Sequence, residues 1–270
     1  MATNSANTPS YDIQGAAHTS PLNGQTVTTS GIVTAVDTDG FYLQDAEGDG
    51  DITTSDAIFV FTRSAPTVSV GDELEVTGRV SEFTPGRVRT GNLSTTQIGS
   101  RLTIDVLSSG NALPTATIIG TNGRVPPSVS IDDDAFALYD PVNDGIDFFE
   151  SLEGMLVTAE DVVAVAGTNR FEEIFVVANQ GADATGLSDR GTLNISPNDF
   201  NPEKIKIDED SDIFDFGLPQ VNAGDRLGDV TGVIGYGFGN FRILPTVDFT
   251  PNITAADLQK RRRWLTVTET

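Results

Sequence analysis

The feature that most constrains this chain is that it carries one β pattern twice. "LNGQTVTTSGIVTAV", beginning at Leu22, aligns with "LEGMLVTAEDVVAVA", beginning at Leu152, with Leu, Gly, Val and Thr in step at an offset of 130. Phe41 and Phe171 keep that spacing. Further on, "GDELEVTGRV" from Gly71 returns as "GDRLGDVTGVI" from Gly224, an offset of 153, so the second copy holds about 23 extra residues between the blocks. A strand, turn, strand order repeated with the same Gly-Asp punctuation implies two copies of one module.

Within each copy, short runs rich in Val, Ile, Thr and Phe alternate apolar with polar, and 27 Gly and 13 Pro punctuate them. Helical periodicity is nearly missing, so the chain is predicted to be all-β. Strands are expected over Thr26 to Val36, Phe41 to Asp45, Ala57 to Thr62 and Glu73 to Phe83. The spacing divides the chain into a tail (1–11), a first module (12–110), a connector (111–147), a second module (148–250) and a C-terminal linker (251–270). The connector mixes an expected strand with Pro-Pro and an Asp triplet and reads as structured, and the stretch from Gly181 to Asp212 reads as an elaborated loop.

Composition narrows the chemistry. Thirty-nine acidic against sixteen basic residues leave a formal charge of −23, which opposes a general clamp on nucleic-acid phosphates. Cysteine is absent and His18 is the one histidine, which removes thiolate zinc sites, Cys nucleophiles and His-rich metal sites. His18, in "GAAHTSP", is therefore read as structural. No stretch approaches the length of a membrane span, and the N-terminus lacks the regions of a signal peptide, so a soluble chain without a membrane partner is expected.

The strand order, with a long first strand bending at a Gly, then "GFYLQD", "IFVF" and "VGDELEVTGRVSEF", is that of five-stranded Greek-key barrels of the OB type. The run from "YDIQGAAHTSPLNGQTV" through "GFYLQDAEGDGDITTSDAIFVF" to "GNLSTTQI" resembles the OB-type region that precedes the catalytic domain in bacterial secreted nucleases of the endonuclease/exonuclease/phosphatase superfamily. "DDDAFALYDPVNDGIDFFESLEGMLVT" and "NRFEEIFVVANQG" extend the likeness over most of the chain. The resemblance implies two tandem OB-like barrels, an extracellular setting, and a downstream metal-dependent catalytic domain as partner. That domain's first strand reads roughly "LTVATYNVENL" in the family; here the sequence runs to "RRRWLTVTET", so no catalytic residue carries over.

The most distinctive motif is "DAEGDGDITTSD". Counting Asp45 as position 1, acidic side chains fall at 1, 3, 5, 7 and 12 (Asp45, Glu47, Asp49, Asp51, Asp56), with Gly50 at 6 and Ile52 at 8. That is the spacing of a calcium loop: alternate residues of a tight turn point inward, Gly permits the bend, and Ile52 would anchor the loop to the core. Asp rather than Glu at the last position, and strands on both flanks, distinguish it from a helical EF-hand. A structural Ca²⁺ is expected here, the alternative being a solvated acidic hairpin tip. The clusters Asp132 to Asp134, Asp140 to Asp147 and Asp208 to Asp212 lack complete ligand spacing and read mainly as solvated faces.

For single-stranded or duplex DNA, OB barrels use a groove lined with basic and aromatic side chains. The first module offers Arg79, Phe83, Arg87, Arg89 and Arg101; otherwise these arginines pair with carboxylates and Phe83 belongs to the core. From Thr254 the chain reads as a short capped helix, with Asp257 three positions on, running into Lys260 to Trp264. Together these features point to a non-catalytic, calcium-stabilised accessory region of a secreted nuclease or phosphodiesterase. The alternative is a calcium-stabilised extracellular structural or adhesion module that binds protein or polysaccharide.

Overall fold

The computed structural model describes residues 7–86, 91–209, 213–214 and 216–257. A short helix, α1 (Ser10–Gln14), leads into β1 (Thr26–Val36), β2 (Gly40–Gln44), β3 (Ala57–Phe61), β4 (Glu73–Phe83), β5 (Thr95–Ile98) and β6 (Thr103–Ser108). These strands lie in the order β1-β2-β3-β5-β4-β6, and β1 also pairs with β4, so five of them close into a ring with β6 on its flank. All pairings are antiparallel except β3 with β5. This is the OB-like ring expected from the strand order.

The second half repeats it. After β7 (Thr117–Ile119) and α2 (Gly145–Glu150) come β8 (Leu156–Ala164), β9 (Ile174–Val177), β10 (Ile205–Ile207), β11 (Arg226–Gly237) and β12 (Asn240–Pro245). Strands β8 to β12 close through β8 with β11, and the single parallel contact within the ring is again between its third and fifth strands, β10 and β12. The sequence offsets coincide with strand starts: Thr26 of β1 and Leu156 of β8 differ by 130, and Glu73 of β4 and Arg226 of β11 by 153. Phe41 and Phe171 are not equivalent, however. Phe41 is fully buried in β2, whereas Phe171 stands exposed in the turn before β9.

Two other expectations change, while the strand expected in the connector is present as β7, which pairs in parallel with β8 on the flank of the second ring. Ile205 to Ile207 form β10 inside the stretch read as one long loop, where Lys206 between them meets Glu173 and Asp208. Thr254 does not cap a helix: its amide and carbonyl exchange hydrogen bonds with Arg226, and a 3-10 turn over Thr250–Asn252 precedes it. The segment Lys260 to Trp264 lies outside the described residues.

Each ring encloses its own core. Phe41, Leu43, Ile58, Leu74, Val76 and Ile98 fill the first, and Phe149, Leu152, Ile174, Ile207, Leu227 and Ile243 the second. Burial along the strands shows what covers them. On β4, buried Leu74, Val76 and Val80 alternate with exposed Glu75 and Arg79, the pattern of a strand with one wet face. On β2 every residue is buried: Phe41 and Leu43 face the ring interior, while Tyr42 packs with Ala35 on Leu156, Val233 and Leu244 of the other barrel. Burying side chains of this size contributes about 1.5–3 kcal/mol each, so the barrels are joined by a true apolar interface.

Candidate functional site: a cleft between the barrels

Polar bonds crossing the same joint run from side chain to main chain in both directions. Gln44 Oε1 accepts the Leu156 amide at 2.7 Å, Ser55 Oγ donates to the Glu153 carbonyl at 2.6 Å, and Tyr236 Oη accepts the Leu93 amide at 3.1 Å. At the centre lies Glu153, in the turn between α2 and β8. Its Oε1 accepts the Thr96 amide at 2.9 Å and Gln14 Nε2 at 3.3 Å, and Gln14 also donates to the Ala57 carbonyl. Its Oε2 is buried without a hydrogen-bond partner. Burial pushes the Glu153 carboxyl up to about 8 against the pull of those two donors, and Glu82 adds to the rise. Glu150, one helical turn earlier, is raised in the same direction by burial and by Glu153.

Beside Glu153 the barrels leave a cleft of about 320 Å³. The first barrel lines one wall with Tyr42, Phe59, Phe61 and Phe83, and adds Gln97 and, from the β1–β2 turn, Asp39. The second barrel lines the other with Ile234, Gly235, Tyr236 and Arg242, and Glu153 with Gly154 completes the lining. Tyr42 and Phe59 lean on each other at 5.0 Å, and Phe83 is 54% exposed. A Cβ on Gly235 would come within 3.2 Å of Leu244 and 3.4 Å of Tyr42 Oη, so glycine keeps this wall flat. Arg242 Nη1 bonds Asp208 Oδ2 at 3.0 Å, and the same oxygen lies 2.9 Å from the buried Lys206 ammonium.

The acidic residues 45–56 form the connection between β2 and β3, and Gly50 takes a left-handed φ of 73° as the motif requires. Their carboxylates are turned onto the loop's own main chain. Asp45 Oδ1 accepts the amides of Glu47 and Gly48, Asp49 Oδ1 that of Asp51, Asp51 Oδ1 that of Thr53, and Asp56 Oδ1 that of Asp49. Burial, then the charges of Asp49 and Asp45, raise the Asp56 carboxyl, whereas the Thr53 amide and hydroxyl lower that of Asp51. Ile52 is not an anchor; it is 48% exposed, because the motif's flanking helices are replaced by strands that give it no apolar seat. Among the described residues no group of three or more Asp, Glu or His is placed to hold a metal ion.

Of the basic and aromatic set, Phe83 alone lines the cleft. Arg79 is exposed and its Nε donates to the Gly24 carbonyl at 3.0 Å. Arg101 is exposed and lines a separate shallow depression with Arg63. Arg87 and Arg89 lie outside the described residues.

Of the other acidic clusters, Asp132 to Asp134 lie at the surface as expected, while the other two are less solvated than their composition suggests. Asp144 and Asp147 are each 2% exposed, and Asp208 is buried between Lys206 and Arg242; Asp210 and Asp212 lie outside the described residues. His18, structural as read, gains a partner the sequence did not reveal. Its Nε2 lies 3.0 Å from Asp147 Oδ1, and its ring meets the edges of Phe136 and Tyr139 at 5.0 and 5.3 Å. Burial raises the Asp147 carboxyl despite the Asp140 amide and His18.

Sequence reading missed the cleft because its parts are scattered over both copies. Glu153 had one available signal: it follows Leu152 in the repeated block, where the first copy has the neutral Asn23.

A family model described as a domain of unknown function (DUF8508) matches residues 106–255, from within β6 through the whole second barrel. The chain belongs to the DUF8508 family. The match takes in Glu153 and the second barrel's wall of the cleft, while Tyr42, Phe59, Phe61 and Phe83 lie before it. No curated protein and no solved structure matches the chain.

Proposed function

We propose that this chain is the non-catalytic accessory region of a secreted, metal-dependent nuclease or phosphodiesterase, and that its two barrels act as one block that sets the place of a downstream catalytic domain. The observation that carries the reading is the joint. Tyr42, Gln44 and Ser55 of one barrel are bonded or packed to Leu156 and Glu153 of the other through buried contacts, and interfaces of that kind suppress the hinge motion expected of loosely tethered domains. The catalytic partner and the extracellular setting come from the sequence resemblance. Contact with DNA in this reading falls to the exposed guanidinium groups of Arg63 and Arg101.

Calcium at Asp45, Glu47, Asp49, Asp51 and Asp56 belongs to the same proposal. Its support is the ligand spacing, together with the rise of Asp56, caused first by burial and then by the charges of Asp49 and Asp45, which a divalent cation would offset. Calorimetric titration of chelator-treated protein with Ca²⁺ is expected to give micromolar to millimolar binding and a higher Tm, both lost in Asp45→Ala/Asp49→Ala. Identical melts for the two proteins with no heat of binding would return the loop to a solvated turn.

The accessory role is tested by joining the chain upstream of a metal-dependent phosphodiesterase domain of the superfamily it resembles and assaying DNA cleavage with Mg²⁺ or Mn²⁺. The joined protein is expected to show a lower KM than the catalytic domain alone at unchanged kcat, with no cleavage by this chain by itself. Cleavage by the chain alone, or equal KM values, would overturn the proposal.

A further inference from the structure

The walls of the inter-barrel cleft combine two features that seldom occur together on a surface without a ligand. One is aromatic area left open: Phe83 stands half out of the protein at the end of β4, and Phe61 and Phe59 of β3 line the same cleft. The other is Glu153, 3% exposed in the lining of the cleft, whose Oε2 is buried without a hydrogen-bond partner. A buried polar atom without a partner is costly, and native structures keep one mainly where something else completes it.

The charges around the cleft say what that is. Asp37 and Asp39 stand in its wall, and among the described residues the one cation lining it is Arg242, whose guanidinium already bonds Asp208. With a formal charge of −23 on the whole chain, a phosphodiester backbone would meet repulsion there. An uncharged ligand with hydroxyl groups meets none. Its C–H face lies against the electron-rich face of an aromatic ring, and its hydroxyls donate to carboxylates and accept from a protonated carboxyl or an amide such as that of Gln97. The volume, about 320 Å³, is at the lower end of the ~300–1,000 Å³ usual for small-ligand sites and suits one or two rings held at a time.

We propose that the cleft between the barrels binds a neutral sugar chain, with Phe83 and Phe61 as the stacking platform and Glu153 and Asp39 as hydrogen-bonding partners of its hydroxyls. The inference stands on the cleft itself and does not depend on the accessory role. Glu153 keeps its proton at neutral pH, so its carboxyl both donates and accepts, which matches the donor and acceptor character of a hydroxyl. Because the two walls belong to different barrels, the site exists only while the joint is closed.

Affinity electrophoresis in native gels tests this directly, since the acidic chain migrates freely unless it is held. The full chain is run through gels containing a β-1,3-glucan, an arabinoxylan or a galactomannan, beside Phe83→Ala and the double variant Phe61→Ala/Phe83→Ala, with thermal melts of all three. Retardation by at least one polysaccharide, weakened about tenfold in the double variant at a Tm close to wild type, is the expected result. Phe83→Ala, which removes a half-exposed ring, serves as the probe if the double variant melts early. Free passage through all three gels, or equal retardation of wild type and Phe83→Ala, overturns the proposal. So does displacement of the polysaccharide by a twelve-residue oligothymidylate at physiological salt, which would assign the aromatic platform to bases instead.

Discussion

Replacing Glu153 with Gln removes one ionisable group from the joint while keeping its size and the acceptor for the Thr96 amide. In the folded chain its carboxyl holds its proton up to about 8, against an ordinary 4.5. Between those values the folded state binds more protons than the unfolded state, so stability falls as pH rises, and the loss is complete above about 8. Each pH step of one costs about 1.4 kcal/mol over that window, so keeping the carboxyl neutral at pH 7 costs on the order of 3 kcal/mol. The amide escapes that cost but brings two N–H groups to the place of the partnerless Oε2, a penalty of about 1–3 kcal/mol at any pH. Urea unfolding at intervals from pH 5 to pH 8 should show Glu153→Gln gaining on wild type steadily, by about 4 kcal/mol across the range. With that penalty set against the wild-type cost, the two curves should cross between roughly pH 5 and pH 7. Glu150 contributes a fall of the same sign in both proteins, smaller in the variant because the Glu153 charge helps to raise it, so the difference between the curves reports the pair. Parallel curves would refute the reasoning, because they would mean that Glu153 is ionised in the fold and that its burial is met by something other than a proton.

Two further substitutions probe what holds each barrel and the pair. Lys206→Met should cost about 3–5 kcal/mol, read as a lower calorimetric Tm, because it leaves Glu173 and Asp208, both within 2.9 Å of the ammonium, without their shared cation. Gln44→Ala strips the buried Leu156 amide of its acceptor and should cost about 1–3 kcal/mol in urea unfolding. It should also open the chain to proteolysis between the barrels, and unchanged protection would argue that the apolar contacts of Tyr42 hold the joint without it.

How much of this was legible beforehand can be judged from particular strands. β1 and β4 were read to the residue, since long alternating runs bounded by Gly-Asp turns leave little choice of period. β10 was lost in a loop because three residues carry no period, and its central lysine argues against a strand until Glu173, far away in sequence, comes to meet it. The acidic loop is legible as a motif, and the structure places it as the β2–β3 connection, while Ile52, expected to anchor it to the core, stands exposed because the motif's helical setting does not apply. The partners of His18, Asp147 and Asp208 stayed hidden, because buried charge pairs are set by folding and not by spacing.

The sequence by itself determined that the chain is β throughout, that it is doubled, and that both copies begin their rings on equivalent strands. Those properties follow from local alternation and turn chemistry, which each segment carries regardless of its neighbours. Only the tertiary structure decided that the two rings dock through β2 and β8, that a glutamate is buried at the joint with one oxygen unmet, and that aromatic side chains from separate strands share one cleft. Docking depends on which outer faces match in shape and polarity once both rings have closed. Tyr42 beside Leu244 and Gln44 beside Leu156 are contacts between residues more than a hundred positions apart, and no period in the chain encodes them.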